Sequence, residues 1–213
     1  MRIRTKHLVS TFAGLIVIGV MAHTVVSQER DGAKPAAGAG GGPDAAMIEQ
    51  WMKANAPGEQ HALLKRLAGR FTADVTMKMT ADGPEMKSKG EEVNEMILSD
   101  RYLKSDFSGD MMGMPFKGTN LAGYDTMKKK YISVWGDSMS TGLIASEGDA
   151  DASGKVITYA GECPCPAEGG QMKKFRQMLT IQDNDHHDFE MFQAGADGKE
   201  FCGMKIKYTR AKQ

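Results

Sequence analysis

Short runs of alternating apolar and polar residues dominate the chain from Phe71 onward. In the clearest run, over residues 71–79, every second side chain is apolar, which is typical of a β-strand with one buried face. Clusters of Gly, Pro, Asp and Asn separate runs of about ten residues that are rich in Val, Ile, Thr, Tyr and Phe. The pattern predicts ten strands, near residues 71–80, 86–97, 101–111, 116–124, 130–137, 141–149, 155–162, 172–182, 187–194 and 200–210.

The connections between these strands are short, and none holds a helix of useful length. Consecutive strands joined in this way pair antiparallel. Closing such a meander on itself removes the unpaired edge strands. We therefore predict an all-β fold, a single antiparallel up-and-down β-barrel of about ten strands over residues 69–213, with an open sandwich as the alternative.

A different pattern precedes the strands. Asp44 can cap a helix whose apolar residues between Met47 and Met52 form one stripe, and a Pro-Gly pair ends it. A second short helix carries leucines at positions 63, 64 and 67 and ends before Gly69. The sequence thus predicts a short N-terminal helical segment, residues 44–68, packed on the barrel.

The first 27 residues have the features of a signal peptide. A basic stretch, residues 1–6, precedes the apolar segment 8–20, and small residues lead up to Ser27. The apolar segment is short for a membrane-spanning helix, so we predict cleavage after Ser27 and a periplasmic or secreted protein; an uncleaved anchor is the alternative. Residues 28–43 are rich in Gly, Ala and Pro and predict a flexible linker.

Charge excludes two classes of partner. The first 27 residues hold three basic and no acidic side chains, which leaves 27 − 3 = 24 basic against 27 acidic side chains in the rest. A net charge of −3 provides no basic surface for nucleic acid or for anionic lipid. We expect no nucleic-acid partner and no membrane association after signal cleavage, and the oligomeric state stays open.

Two resemblances add to this interpretation. The segment Gly69-Arg-Phe71 resembles the start of lipocalin-like barrels, with Phe71 where Trp is common, and Arg210 resembles the late arginine that packs over that ring. Such a cation–π contact contributes roughly 1 kcal/mol.

The chain is also similar to the exported bacterial family catalogued as domain of unknown function 1579. That similarity is carried by GDMMGMPFKG at 109–118, GYD at 123–125, KKKYISVW at 128–135, DHH at 185–187, FEM at 189–191, GKEF at 198–201 and YTR at 208–210. It covers about residues 58–211 and implies a lipocalin-type β domain without an established activity.

Three cysteines lie outside the signal segment, and the Cys163-Pro-Cys165 pair departs from the family pattern. In an oxidising compartment a pair tends to bridge. The predicted strand order opens Cys202 and this pair at the same end of the barrel. A disulfide from Cys202 to Cys163 or Cys165, three unpaired thiols, and a soft metal site all remain open.

Alternation also turns polar residues toward the barrel interior. If Met86 and Met96 face inward, Glu92 and Asn94 do as well. The same argument, taken from Met178 and Phe192, turns Arg176 and Glu190 inward, and Trp135 shares a face with Tyr131 and Asp137. A buried charge needs a partner, so we predict that Arg176 pairs with Glu92 or Glu190. A slip of one residue in register would reverse these faces.

Two other clusters of possible metal ligands also have a purely structural interpretation. The segment 183–188 has the polar density of a metal site, yet Asp and Asn also form tight turns. The run Met111–Met114 suits copper(I), but methionine also fills irregular cores. Catalytic motifs such as Gly-x-Ser-x-Gly and His-Glu-x-x-His are lacking. We expect no cofactor and no resident metal.

The sequence thus favours a barrel that binds a small, mostly apolar ligand. Its predicted ligand-binding residues are Glu92, Asn94, Trp135, Arg176 and Glu190. Two alternatives remain: an enzyme in the same barrel with Glu92, Glu190 or His187 as acid or base, and a structural or interaction domain of the cell envelope.

Overall fold

Ten antiparallel strands close into a barrel in the computed structural model, which describes residues 44–165, 168–195 and 197–212. Each strand pairs with the next along the chain, and β1 pairs with β10, so the prediction of an up-and-down barrel is confirmed. The predicted signal peptide and linker lie outside the described residues. The strands are β1 Gly69–Met77, β2 Met86–Ile97, β3 Tyr102–Met111, β4 Met114–Asp125, β5 Lys130–Asp137, β6 Ile144–Ala150, β7 Val156–Cys165, β8 Gln171–Ile181, β9 His186–Ala194 and β10 Glu200–Arg210.

Two short helices precede the barrel. Helix α1, Ala45–Ala54, begins at Asp44, whose side chain accepts a hydrogen bond from the Ala46 amide, and none of its side chains is buried. Helix α2, Glu59–Lys65, buries His61 and Leu64. In the described part of the chain, we find no helix with both the length and the apolar character needed to span a membrane.

Helix α2 closes one end of the barrel, which we call the helix end. Leu64 is fully buried there and packs in one cluster with the inward-facing residues of β3, β5, β7 and β8. Burying a leucine contributes about 1.5–3 kcal/mol, so this contact fixes the helix on the barrel. The other buried members of the cluster are Leu67, Leu103, Tyr131, Ile157, Tyr159 and Ile181.

Aromatic rings lie flat against the barrel wall beside glycines of the neighbouring strand. A β-carbon at Gly90 would collide with the ring of Phe107, and one at Gly118 would collide with the ring of Trp135. The glycines therefore allow these rings to cover the wall instead of projecting across the interior. Phe107 belongs to a second buried cluster with Phe71, Ala73, Val75, Phe116, Ile206 and Tyr208.

Arg210 joins the two termini of the barrel. Its Cζ lies 4.5 Å from the centroid of the Phe71 ring, which is the arrangement implied by the lipocalin-like resemblance. Its guanidinium also donates hydrogen bonds to the carbonyl oxygens of Ala68 (2.8 Å), Arg66 (3.0 Å) and Asn184 (2.6 and 2.8 Å). One side chain thus ties the exit of the helical segment and the β8–β9 turn to β10.

Candidate functional site

The barrel end opposite α2, which we call the mouth, differs from the helix end in solvent exposure. It is formed where β1, β3, β5, β7 and β9 end and their partners begin. At the helix end, the cluster around Leu64 is 0–5 % exposed, and inward-facing Met96 and Leu179, which pack against it, are partly buried. Side chains near the mouth are only half-buried although they face the interior: Met77, Met86, Met111, Trp135, Met191 and Met204. Solvent therefore enters the barrel interior at the mouth.

Concave regions also occur on the outer surface of the barrel. In the described part of the chain, the best-defined concavities are two open grooves on the outer face of the barrel. One, of about 380 Å³, crosses β1, β2 and β10, and four of its eight lining residues are lysines. Behind the mouth, the half-buried methionines have three rotatable bonds each and can adapt the shape of the interior to an incoming molecule.

Below the mouth, Glu92 and Asn94 face inward from β2, as alternation predicted. The Asn94 Nδ2 donates hydrogen bonds to Glu92 Oε1 (2.9 Å) and to the Leu67 carbonyl oxygen (3.0 Å). Its Oδ1 is buried and has no hydrogen-bond partner among the described residues. Glu92, Asn94 and Tyr208 form what we call the polar floor, which retains a free acceptor.

Burial sets the protonation of the polar floor. Desolvation raises the pKa of the Glu92 carboxyl, and hydrogen bonding to Asn94 and Tyr208 offsets only part of that rise. Desolvation also raises the pKa of the fully buried Tyr208 hydroxyl well above its usual value. The fold therefore favours neutral forms of both groups, and a protonated Glu92 can donate as well as accept a hydrogen bond.

His187 lies beside the polar floor. It is 3 % exposed, stacks on Tyr208 with ring centroids 4.4 Å apart, and meets the Phe71 ring edge-on at 4.6 Å. Burial first, and the positive charge of Arg210 second, lower the pKa of its imidazole to about 4. His187 is therefore a neutral ring at neutral pH. Sequence reasoning had considered His187 as an acid or base, as part of a metal site and as part of a turn, but not as a ring stacked in the core.

Further polar groups line the wall between the polar floor and the mouth. Trp135 stacks on Phe116 and donates from Nε1 to Asp137 Oδ2 at 2.9 Å, so the inward face predicted for Trp135 is found. Ser133 Oγ donates to Asn120 Oδ1 at 2.7 Å. Inward-facing polar residues that sequence reasoning missed are Ser105, Asn120, Ser133, Ser146, Gln177 and Tyr208. Alternation on β3, β4 and β6 contained the signal for several of them.

The structure corrects the faces assigned to Arg176 and Glu190. Both lie on the outside of the barrel, because Phe175 and Phe189, their direct neighbours in sequence, pack inward. Arg176 pairs with Glu200, its Nη2 2.6 Å from Oε2, and its Cζ lies 4.0 Å from the Phe192 ring centroid. Glu190 accepts from Lys205 at 2.9 Å. The predicted contact of Arg176 with Glu92 or Glu190 is not made.

The three cysteines are free thiols in the structure. Strands β8 and β9 lie between β7, which carries Cys163 and Cys165, and β10, which carries Cys202. Three strand spacings amount to about 14 Å along the sheet, whereas a disulfide needs Cα atoms within about 7 Å. The geometry thus explains why Cys202 is not bridged. Burial raises the pKa of the Cys163 and Cys202 thiols, which lowers their reactivity.

The segment 183–188 forms a turn stabilised by its first side chain. Asp183 Oδ1 accepts from the amides of Asp185 (2.7 Å) and His186 (2.8 Å). His186 is exposed and His187 is buried, so the two rings point to opposite faces. Across residues 44–165, 168–195 and 197–212, no three His, Cys, Asp or Glu side chains converge on a position for one metal ion.

Comparison with known proteins relates this chain to one protein family and to two solved structures. The family model described as "Protein of unknown function (DUF1579)" matches residues 56–210. The crystal structure of Rv2717c from M. tuberculosis is similar over 74 % of this chain and 100 % of that chain, with a TM-score of 0.54 and 12 % identity, which supports the fold alone. A redesigned β-barrel covers 70 % of this chain and 96 % of its own, with a TM-score of 0.36 and 17 % identity. No curated protein matches.

Proposed function

This chain belongs to the DUF1579 family of proteins of unknown function, and on that premise we propose that its barrel binds a small, mostly apolar molecule that enters through the mouth. The single observation that carries this proposal is the difference in solvent exposure of inward-facing side chains between the two ends of the barrel. Most inward-facing residues are fully buried at the helix end, whereas the methionines and Trp135 at the mouth are half-buried. Apolar side chains that stay accessible to solvent in a concave site favour an apolar ligand.

The lining favours a ligand with one polar group. Methionine and Trp135 surround the mouth, and burying apolar surface contributes about 25 cal/mol per Å². The polar floor below them holds the unpartnered Asn94 Oδ1 and the Glu92 carboxyl, whose pKa burial raises. A hydroxyl, amide or protonated acid group on the ligand would satisfy both residues. Arg176 and Glu190 take no part, because they lie outside the barrel.

We also propose that the protein works outside the cytoplasm. Support comes from residues 1–27, where a basic stretch precedes a short apolar segment. An extracytoplasmic barrel that takes up a small apolar molecule would serve as a carrier or store.

The binding proposal can be tested with N-phenyl-1-naphthylamine, a neutral apolar fluorophore. The chain has two tryptophans, and Trp51→Phe leaves Trp135 at the mouth as the only energy donor. In this background, Ser88→Phe fills the interior, since Ser88 faces inward opposite Val75. Lys89→Phe adds the same ring to the outer face, where Lys89 is 87 % exposed.

We expect saturable energy transfer from Trp135 to the probe in the background protein. Ser88→Phe should weaken binding at least about tenfold, which is about 1.4 kcal/mol, and Lys89→Phe should leave it unchanged. Equal binding to both variants would place the probe on the outer surface and overturn the proposal. The absence of saturable binding in the background protein would overturn it as well.

A further inference from the structure

Four methionines occupy directly paired positions on four neighbouring strands. Met86 of β2 pairs with Met77 of β1, Met77 pairs with Met204 of β10, and Met204 pairs with Met191 of β9. Residues paired directly across strands point to the same face. These four residues, which we call the methionine row, therefore form a continuous line of thioethers around almost half of the mouth.

The row faces the barrel interior. Met77 and Met204 pack against the buried cluster that contains Phe71 and Ile206. Met191 lies two residues after Phe189, which packs against the same cluster, and so shares its face. All four side chains are half-buried. Side chains on the concave surface of a barrel converge, so the flexible thioethers of neighbouring strands can meet in front of the wall.

A β-bulge places Met204 in the row. Cys202 pairs with the outward-facing Phe192, and the register then shifts so that Met204 pairs with Met191. Unbroken alternation from Cys202 would turn Met204 outward, and the extra residue, Gly203, turns it inward. A β-carbon at Gly203 would lie 2.9 Å from Gln193 Nε2, so glycine suits this position. A bulge that re-aims one side chain is a feature often found beside functional sites.

We propose that the methionine row binds a copper(I) ion at the mouth of the barrel. Thioethers are soft, neutral ligands that select copper(I) over hard divalent cations. Neighbouring strands lie about 4.8 Å apart, and a methionine side chain is long enough for three adjacent thioethers to reach one ion between them. The copper site shares the mouth with the proposed apolar ligand but differs in its requirement, since copper needs the sulfur atoms and the ligand needs only apolar volume.

Substitution of methionine by leucine separates the two roles, because leucine keeps the volume and the apolar character but removes the thioether. The test variant is Met77→Leu/Met204→Leu, which removes the two central ligands. The matched control is Met96→Leu/Met178→Leu. Met96 packs at the helix end, and Met178 lies on the outer face of β8 between the inward-facing Gln177 and Leu179.

Copper(I) is titrated anaerobically against bicinchoninate, with all three thiols first alkylated. We expect one equivalent to bind to the alkylated protein and to the control, equally at pH 7 and pH 5, since thioethers do not take up protons in this range. The test variant should bind copper(I) at least about tenfold more weakly, while its far-ultraviolet circular dichroism and its urea midpoint match those of the control. Equal copper affinity in the test variant, loss of binding on alkylation, or no binding by the wild-type protein would each overturn the copper site.

Discussion

His187 should make the free energy of unfolding of this protein fall as the pH falls, and one substitution should remove this dependence. The imidazole is buried between Tyr208 and Phe71, and burial together with the charge of Arg210 lowers its pKa from 6.5 to about 4. In the unfolded chain the same ring takes up a proton near pH 6.5. Between pH 6.5 and pH 4 the unfolded state therefore binds more protons than the folded state, and stability falls as the pH falls.

The size of this effect follows from the two pKa values. A shift of 2.5 units corresponds to about 3.4 kcal/mol when the pH is well below 4. The linkage between proton binding and folding predicts that this residue alone lowers the free energy of unfolding by about 2 kcal/mol between pH 7 and pH 5. Because the ring is 3 % exposed, solvent screening does not reduce this figure much. His187→Phe keeps the aromatic packing and removes the titration.

The measurement is urea unfolding followed by far-ultraviolet circular dichroism at pH 7 and pH 5. The free energy of unfolding of the wild-type protein should drop by about 2 kcal/mol more than that of His187→Phe over this interval. His186→Gln, at the exposed neighbouring position, is the control and should follow the wild type. If His187→Phe and the wild type lose the same stability, His187 is not held neutral by burial and the reasoning fails.

Two further substitutions test the polar floor and the Arg210 contacts. Glu92→Gln should stabilise the protein relative to the wild type increasingly as the pH rises above 4.5, because the raised pKa of Glu92 makes the wild type lose stability until that pKa is passed. Urea unfolding at several pH values measures this. Arg210→Leu should lower the free energy of unfolding by about 3 kcal/mol, since it leaves the carbonyl oxygens of residues 66, 68 and 184 without their charged donor. Arg176→Leu should cost at most about 1 kcal/mol, because its ion pair with Glu200 is largely exposed; equal losses for the two arginines in thermal unfolding would contradict this ranking.

The sequence was sufficient to predict the barrel because each strand is indicated by a local pattern of residues. On β1, apolar residues occupy one face only, so Phe71 is placed correctly by alternation. Turn residues separate all ten strands, and short connections leave antiparallel pairing as the simplest arrangement. The inward faces of Glu92 and Asn94 followed from the same period on β2, where lysines and glutamates mark the opposite face.

The same reasoning failed on β8 and β9, where both faces carry apolar residues. Phe175 and Leu179 face inward, but Met178 between them is apolar as well. Phe192 is likewise apolar and outward, covered by Arg176. When both faces are half-buried, the period of two persists but no longer indicates which face is inside. The pairing of Arg176 with Glu200 depends on the three-dimensional arrangement of β8, β9 and β10, and the local sequence contains no sign of it.

The methionine row shows a second limit of local patterns. Its members are spread from residue 77 to residue 204 and meet only through the pairing of β2, β1, β10 and β9. The densest local run, Met111–Met114, instead forms a hairpin in which Met112 and Met114 are largely exposed. Register, and one bulge at Gly203, thus decide which of the 17 methionines share the interior. A site assembled in this way leaves no contiguous motif, so its chemistry has to be read from the strand order.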